Sequence, residues 1–462
     1  MPVSAMTSVA PARSAPARVL RWLAVLATTV LGACAHLGMG GDPMPPLVFV
    51  HGNGGSSSQW ETTIWRFESN GWPRNRLYAI DFPFPYARDD DSVAQPGRSS
   101  SAEQMKYLSA GVDRVLAATG ARKVVLVGNS RGGLTIRNYL RNAEAAADKV
   151  ARVVLGGTPN HGIWSSNDFL PGSEFNAKGP FLTALNAPQA PWDLEVTYGP
   201  KWLTLRSDGN DKYAQPDGRW IGKPGMPTGV TSASPALNGA TNVVLGALDH
   251  REVSFHPRAF EQTWWFVTGN MPARTAIVAE SVPVLDGRIN RPGTNLPMSG
   301  ASVEVYEVAP HTGERLGPPV HTRVTGADGL WGPMHARSDA PYEFVVSVPG
   351  YAITHVYRSA FPRSTDLVHM RPARLADAER KAGSVIVMTR PRGYFGLNRD
   401  RMSLDGADPP GVPPGVPGVS ESRLVLPPGP VRTVVAEFNG ERIAVRSWPA
   451  SENRVVFAEL HY

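Results

Sequence analysis

The sequence predicts the α/β class, with a doubly wound, mostly parallel sheet followed by an all-β sandwich region. Three observations predict it. Leu47–Val50 and Val124–Val127 are short, continuous apolar runs, the pattern of strands buried on both faces. Amphipathic helical stretches lie between such runs, as in a parallel sheet with crossover helices. Beyond Trp264-Trp265-Phe266 the period switches to two: Ala301, Val303 and Val305 alternate with Ser302 and Glu304. At 462 residues the chain is long enough for more than one domain.

Residues 1–33 read as a signal peptide. Arg13, Arg18 and Arg21 precede Trp22–Ala33, an apolar run too short to span a bilayer. Leu31-Gly32-Ala33-Cys34 resembles a bacterial lipoprotein box, which implies cleavage before Cys34 and lipidation of that residue. Cys34 is the one cysteine of the chain, so an intrachain disulfide is excluded. The expected product is exported, either anchored to a membrane (the outer membrane) by its lipid or extracellular. Residues 34–44 read as a tether. The leader arginines supply three of the +6 formal charges, leaving +3. No basic cluster remains, so nucleic acid is not an expected partner.

Residues 45–271 form the first domain. After the strand Leu47–Val50, His51-Gly52-Asn53-Gly54-Gly55 supplies glycines that let backbone amides approach a developing oxyanion. A second strand spans Arg76–Asp81. Ser101 and Gln104 predict a capping box for the next helix, which Gly120 ends. Val124–Val127 then leads into Gly128-Asn129-Ser130-Arg131-Gly132, a G-x-S-x-G pentapeptide, with a helix indicated by Leu134, Ile136 and Leu140. Strand, G-x-S-x-G and helix together are the setting of a nucleophile elbow, with Ser130 at its apex. Further strands are expected at Val150–Leu155, Trp202–Arg206 and Asn242–Ala247, and a helix start at Pro257.

A serine hydroxyl needs a base, and the base needs an orienting carboxylate. With the chain order serine, acid, histidine, the acid falls in Ser207–Asp211, where Asp211 is the choice and Asp208 the alternative. The base is His250, after the last strand of the sheet. His51, His161 and His256 compete; His51 reads as a brace for its loop and His256 as a surface residue. The oxyanion donors are assigned to the backbone amides of Asn53 and Arg131. No metal or organic cofactor is needed, and the histidines of the C-terminal half form no ligand cluster.

The stretches LVFVHGNGGSSSQW, NGWPRNRLYAIDF, TGARKVVLVGNSRGG, KVARVVLGG, WLTLRSDGND and NVVLGALDH run collinearly through residues 46 to 268. They resemble the small lid-free bacterial lipases of the α/β-hydrolase fold. The resemblance implies a serine carboxylic-ester hydrolase (lipase or esterase) with Ser130 as nucleophile, Asp211 as acid, His250 as base, and oxyanion amides at Asn53 and Arg131. Its substrate would be a lipid or another acyl ester, including a polyester such as a polyhydroxyalkanoate. The rival reading is a surface-binding lipoprotein with an inactive hydrolase fold; the intact serine, acid, histidine order argues against it. Two departures bear on substrate. Asn129 stands where those lipases usually carry histidine, and Arg131 replaces a small or apolar residue. The Arg131 side chain is expected in solvent, or else beside the oxyanion hole, where it would favour a substrate carboxylate. Ile163–Pro200, with Trp164, Phe169, Phe175 and Phe181, is expected to form a lid or an acyl-pocket wall; Pro216–Ala240 is a second long insertion.

Residues 275–372 read as a β-sandwich module. GASVEVYEV, TGADGLWG and PYEFVVSVPGY resemble a transthyretin- or carboxypeptidase-regulatory-like module. Residues 373–462 read as a second β-rich module, interrupted by the low-complexity loop Pro409–Pro417. The full arrangement looks like archaeal lipases with a C-terminal β-domain used for long-chain substrates.

Overall fold

The computed structural model describes Met1 and residues 44–219 and 228–462. The expected leader beyond Met1, Cys34 and the tether up to residue 43 lie outside the described residues, as does part of the second insertion.

The apolar runs become six parallel strands: β1 (Leu47–Val50), β2 (Leu77–Ile80), β3 (Val124–Asn129), β4 (Val150–Gly156), β5 (Lys201–Arg206) and β6 (Thr241–Val244). Their order is β2-β1-β3-β4-β5-β6. Six helices accompany them: α1 (Glu61–Ser69), α2 (Ser101–Thr119), α3 (Arg131–Asn142), α4 (Pro180–Asn186), α5 (Glu252–Phe255) and α6 (Pro257–Thr268). Successive side chains of a strand point to opposite faces, and the packing follows. Leu47, Phe49, Val125 and Val127 pack with α1 and α6 through Phe67, Phe260 and Trp264. Val48, Val50, Val124 and Leu126 pack with α2 and α3 through Leu108, Val112 and Ile136. A strand covered on both faces has no polar face, which is why these runs are continuous.

The capping box of α2 lies one residue earlier than the sequence suggests. The Ser100 hydroxyl accepts from the Glu103 amide at 3.1 Å, and Glu103 Oε2 accepts from the Ser100 amide at 2.7 Å. Both pairs fit the S-x-x-E/Q pattern, but Asp91 takes the Ser101 amide and hydroxyl, and Gln104 accepts from Thr135. Gly120 ends the helix at φ +65°, as expected.

The C-terminal half is built from β7 (Ser302–Glu307), β8 (His321–Val324), β9 (Tyr342–Ser347), β10 (Ile353–Arg358), β11 (Ser384–Thr389), β12 (Met402–Leu404), β13 (Glu421–Leu426), β14 (Thr433–Phe438), β15 (Glu441–Arg446) and β16 (Arg454–Glu459). Seven of them form a sheet in the order β8-β7-β9-β10-β16-β11-β13. The last strand, β16, lies between β10 and β11 and pairs with both in parallel. The two stretches read separately from the sequence therefore share one sheet, because β16 completes the ladder that β10 would otherwise leave open. A second sheet, β12-β14-β15, covers part of one face. Ile386, Met388 and Val456 pack there with Val434, Ala436 and Ile443. This is the β-sandwich.

The other face of the large sheet receives Trp65 from α1, fully buried against a cluster that includes Trp331, Phe344 and Phe361. The Trp65 indole donates to the Ser364 carbonyl at 3.0 Å. Beside it, the buried Glu61 carboxylate accepts from Arg358 and from Arg392, each at 2.8 Å. Burial pushes the Glu61 pKa up, but Arg358, Arg392 and His461 outweigh it and hold the carboxyl well below the usual range. A lone buried carboxylate would cost several kcal/mol or about that order, so the helix face and the β-half depend on each other.

Candidate active site

Ser130 sits between β3 and α3 with φ 53° and ψ −121°, a conformation that a serine holds only when its surroundings impose it. The glycines leave room for that turn. A Cβ on Gly132 would lie 2.4 Å from the Val50 carbonyl oxygen and 2.6 Å from that of His51. A Cβ on Gly128 would lie 2.9 Å from the Gly133 amide nitrogen. The elbow thus presses on the end of β1, where the Asn53 loop begins.

The structure brings Ser130, His250 and Asp211 together. Ser130 Oγ lies 2.9 Å from His250 Nε2, and His250 Nδ1 lies 2.8 Å from Asp211 Oδ2. Asp211 and His250 are each 3% exposed and Ser130 8%, so the chain of contacts is shielded yet reachable at the serine. Asp211 Oδ1 accepts from the Tyr213 amide at 2.8 Å. The Tyr213 ring meets the imidazole edge-on, with centroids 4.6 Å apart. With one carboxylate oxygen on each partner and a ring against its side, the imidazole has one orientation.

Asp208 is elsewhere. It is exposed, and its carboxylate ties the Gly209 amide and the Asn210 side chain to the Ala247 amide. It closes loops. The competing histidines are also committed. His51 accepts from the Phe82 amide through Nε2 at 3.2 Å and has Nδ1 on the Gly52 carbonyl at 2.8 Å, bracing the Asn53 loop. His161 lies between Ser234 and Glu195. His256 caps α6, accepting from the Arg258 amide.

The Asn53 and Arg131 amides, assigned above as oxyanion donors, have no hydrogen-bond acceptor among the described residues. Asn53 lines the cavity above Ser130, and Arg131 is the first residue of α3, whose amides point toward the serine. Asn53 is fixed by its side chain, which accepts from the Ala87 amide at 2.8 Å.

Arg131 corrects the sequence reading. Its side chain is neither in solvent nor beside the reacting centre. It is 1% exposed and forms a forked pair with Glu174, at 2.6 and 2.7 Å, with further bonds to Pro85 and Ser99. A guanidinium fork matches a carboxylate, and Glu174 comes from the Ile163–Pro200 insertion. The cation therefore anchors that insertion rather than reading substrate. Trp164, Phe175, Leu182 and Leu185 of the insertion pack under it with Leu134, while Ile163, Trp164 and Phe175 also line the cavity. Asn129 is structural as well: its amide donates to the Gly156 carbonyl at 3.1 Å and to Ser254 Oγ at 2.9 Å, joining β3 to β4 and to α5 behind His250.

Residues 45–180 match the model described as "alpha/beta hydrolase fold", and residues 282–375 match "Lipase C-terminal domain". The chain is an α/β-hydrolase fold with a C-terminal domain, related to bacterial lipases. A triacylglycerol lipase of Burkholderia plantarii is 33% identical over 163 residues, which is 32% of this chain and 40% of that protein. This chain thus matches about two fifths of that relative's length. Among solved structures, a mature lipase of Bacillus licheniformis covers 49% of this chain and 94% of its own, at 25% identity and a TM-score of 0.35. Lipase B of Aspergillus fumigatus covers 52% and 56%, at 15% identity and a TM-score of 0.35.

Sequence reasoning missed the contribution of the β-half to the site. The cavity over Ser130, of about 600 Å³, is closed on one side by Tyr394 and by Gly418–Glu421. Below it, Asp249 accepts from the Tyr394 amide at 2.6 Å and from Arg390 at 3.2 Å, and Glu252 pairs with Arg399 at 2.7 Å. These bonds fix the residues flanking His250 from 140 or more positions away. No local pattern in the sequence marks them.

Proposed function

We propose that the protein is a serine carboxylic-ester hydrolase of the lipase or esterase type, working through an acyl-enzyme. The observation that carries this is the unbroken chain of contacts Ser130 Oγ, His250 Nε2, His250 Nδ1 and Asp211 Oδ2, at 2.9 and 2.8 Å.

In this reading His250 takes the Ser130 proton as Oγ attacks the acyl carbonyl. The carbonyl oxygen becomes an oxyanion and is held by the Asn53 and Arg131 amides. Asp211 stabilises the imidazolium and remains ionised. His250 then delivers its proton to the leaving alcohol, and the C–O bond breaks. Water, deprotonated by the same imidazole, attacks the acyl-enzyme and releases the acid. The strained elbow and the Glu174–Arg131 pair keep the donors in place, so little reorganisation is required as charge develops.

The test is hydrolysis of p-nitrophenyl esters of increasing chain length by the wild-type chain and by Ser130→Ala. Loss of about 10⁵–10⁶ in kcat is expected for the variant. Equal rates in the two proteins would reject the reading.

Export and anchoring belong to the same proposal. The arginines before Trp22–Ala33 and the Leu31–Cys34 box support cleavage before Cys34 and lipidation there. Cys34→Ala should move the protein from the membrane fraction to the soluble fraction. An unchanged distribution would remove the anchor. Domain limits of 45–271, 275–372 and 373–462 remain the proposed division, with the last two joined through one sheet.

A further inference from the structure

The cavity over Ser130 has two unlike sides. One is apolar: Ile163, Trp164 and Phe175. The other carries Lys212 and Arg251, and both cations lie against the Tyr394 ring, at 4.2 and 4.6 Å from its centroid. Lys212 donates to the Gly418 carbonyl at 2.7 Å and Arg251 to that of Pro391 at 3.2 Å. Arg251 also lines a second cavity of about 410 Å³ that shares Tyr86, Gln59 and Glu421 with the first. Arg371 lies in that second space, bonded to the Thr294 carbonyl and the Asn295 side chain.

None of these three cations has a carboxylate within 4.0 Å among the described residues. Arg131, Arg358, Arg390 and Arg392, buried nearby, and the half-buried Arg399 all do. Two carboxylates line the joined cavities. Glu459 is paired with Arg358, and Glu421 is exposed at the rim. His369 is paired with Asp81. The joined space therefore carries three cations without a directly paired carboxylate; Asp211 and Asp249 act on Lys212, and Asp81 and Glu459 on Arg371, from farther away. Burial lowers the Lys212 pKa to about 8, with Arg251 adding to the shift and Asp211 and Asp249 opposing it.

We infer that the substrate is an amphipathic ester whose alcohol part bears an anionic oxyacid group, phosphate or carboxylate, held by Lys212, Arg251 and Arg371. An acyl chain laid against ammonium and guanidinium groups would strip their water with no return, whereas Ile163, Trp164 and Phe175 offer it an apolar wall. The anion therefore belongs to the leaving alcohol. Charge-assisted hydrogen bonds in a shielded cavity are the stronger kind, and the β-half, through Tyr394 and Gly418, holds the cations in position. This inference rests on the serine-hydrolase reading above.

The experiment compares kcat/KM for matched esters with the full chain. One pair is 1-butanoylglycerol 3-phosphate against 1-butanoylglycerol. The other is 3-(butanoyloxy)butanoate against its methyl ester. A preference of roughly tenfold or more for the anion is expected in at least one pair, as for a partly shielded ion pair. The pair that shows it separates phosphate from carboxylate. Lys212→Gln and Arg251→Gln should each bring the ratio toward one, and 0.5 M NaCl should do so in the wild type. Ratios at or below one in both pairs, with the neutral esters turned over, overturn this inference and leave the serine-hydrolase reading standing. A preference that neither variant reduces overturns it as well. Failure to hydrolyse any of the four esters, together with p-nitrophenyl butyrate, removes both.

Discussion

Replacing Asp211 by asparagine changes one atom and tests the whole proton path. In the structure Asp211 Oδ1 accepts from the Tyr213 amide at 2.8 Å, and Oδ2 faces His250 Nδ1 at 2.8 Å. An asparagine must keep its oxygen toward the Tyr213 N–H, since its own amide group there would set donor against donor. Its NH₂ then points at Nδ1, which has to become an acceptor. The imidazole proton moves to Nε2, the nitrogen 2.9 Å from Ser130 Oγ, and that nitrogen can no longer take the serine proton. A wrong tautomer of this kind lowers kcat by about 10⁴, or roughly 5.5 kcal/mol of barrier. The fold should be spared, because the side chain keeps its volume and its bond to Tyr213. The assay is kcat for p-nitrophenyl butyrate, with circular dichroism and a urea melt as controls. A folded Asp211→Asn protein within tenfold of wild type would refute the tautomer argument. If Asp208→Asn proved the more damaging change, the assignment of the acid would fail too.

Four further outcomes are expected. Glu174→Leu leaves the Arg131 guanidinium buried without its carboxylate and should cost about 3 kcal/mol in urea unfolding, the low end for a broken buried pair because Pro85 and Ser99 still accept from it; adding Arg131→Met should recover most of the loss. Gly132→Ala drives a Cβ against two backbone carbonyls of the β1 end, so soluble yield or thermal midpoint should fall sharply. His256, the α6 cap, has its pKa lowered to about 4 by burial, with Arg66, Arg258 and Arg390 adding to the shift. It is neutral when folded, so stability is full above about 6.5 and is lost as pH falls toward 4; His256→Asn, which still caps, should flatten the melting temperature across that window. Lys212 faces Asp211, Asp249, Arg251 and the rings of Tyr213 and Tyr394. Its charge is lost above about pH 8, so KM for the anionic esters should rise there while KM for the neutral ones stays flatter.

Local chemistry made much of this protein legible. The apolar runs give six buried parallel strands because a covered strand cannot carry a polar face. G-x-S-x-G gives the elbow because larger side chains at Gly128 and Gly132 would strike backbone. Chain order pointed to Asp211 and His250, and both lie where the sheet places them, beside Ser130. Where two readings were locally equal, the sequence could not choose. Ser100–Glu103 and Ser101–Gln104 both fit a capping box, and Asp91, ten residues upstream of Ser101, decides between them. Arg131 could have faced solvent or substrate; Glu174, 43 residues on, buries it.

Tertiary structure alone decided the cavity. Tyr394 and Gly418–Glu421 reach the site from the β-half, and Arg390 and Arg399 fix the turn that carries His250. Sequence by itself determines what depends on neighbours along the chain: period, turn residues, motif spacing. Charge pairing and cavity walls depend on neighbours in space, and β16, the last strand, is needed before those neighbours meet.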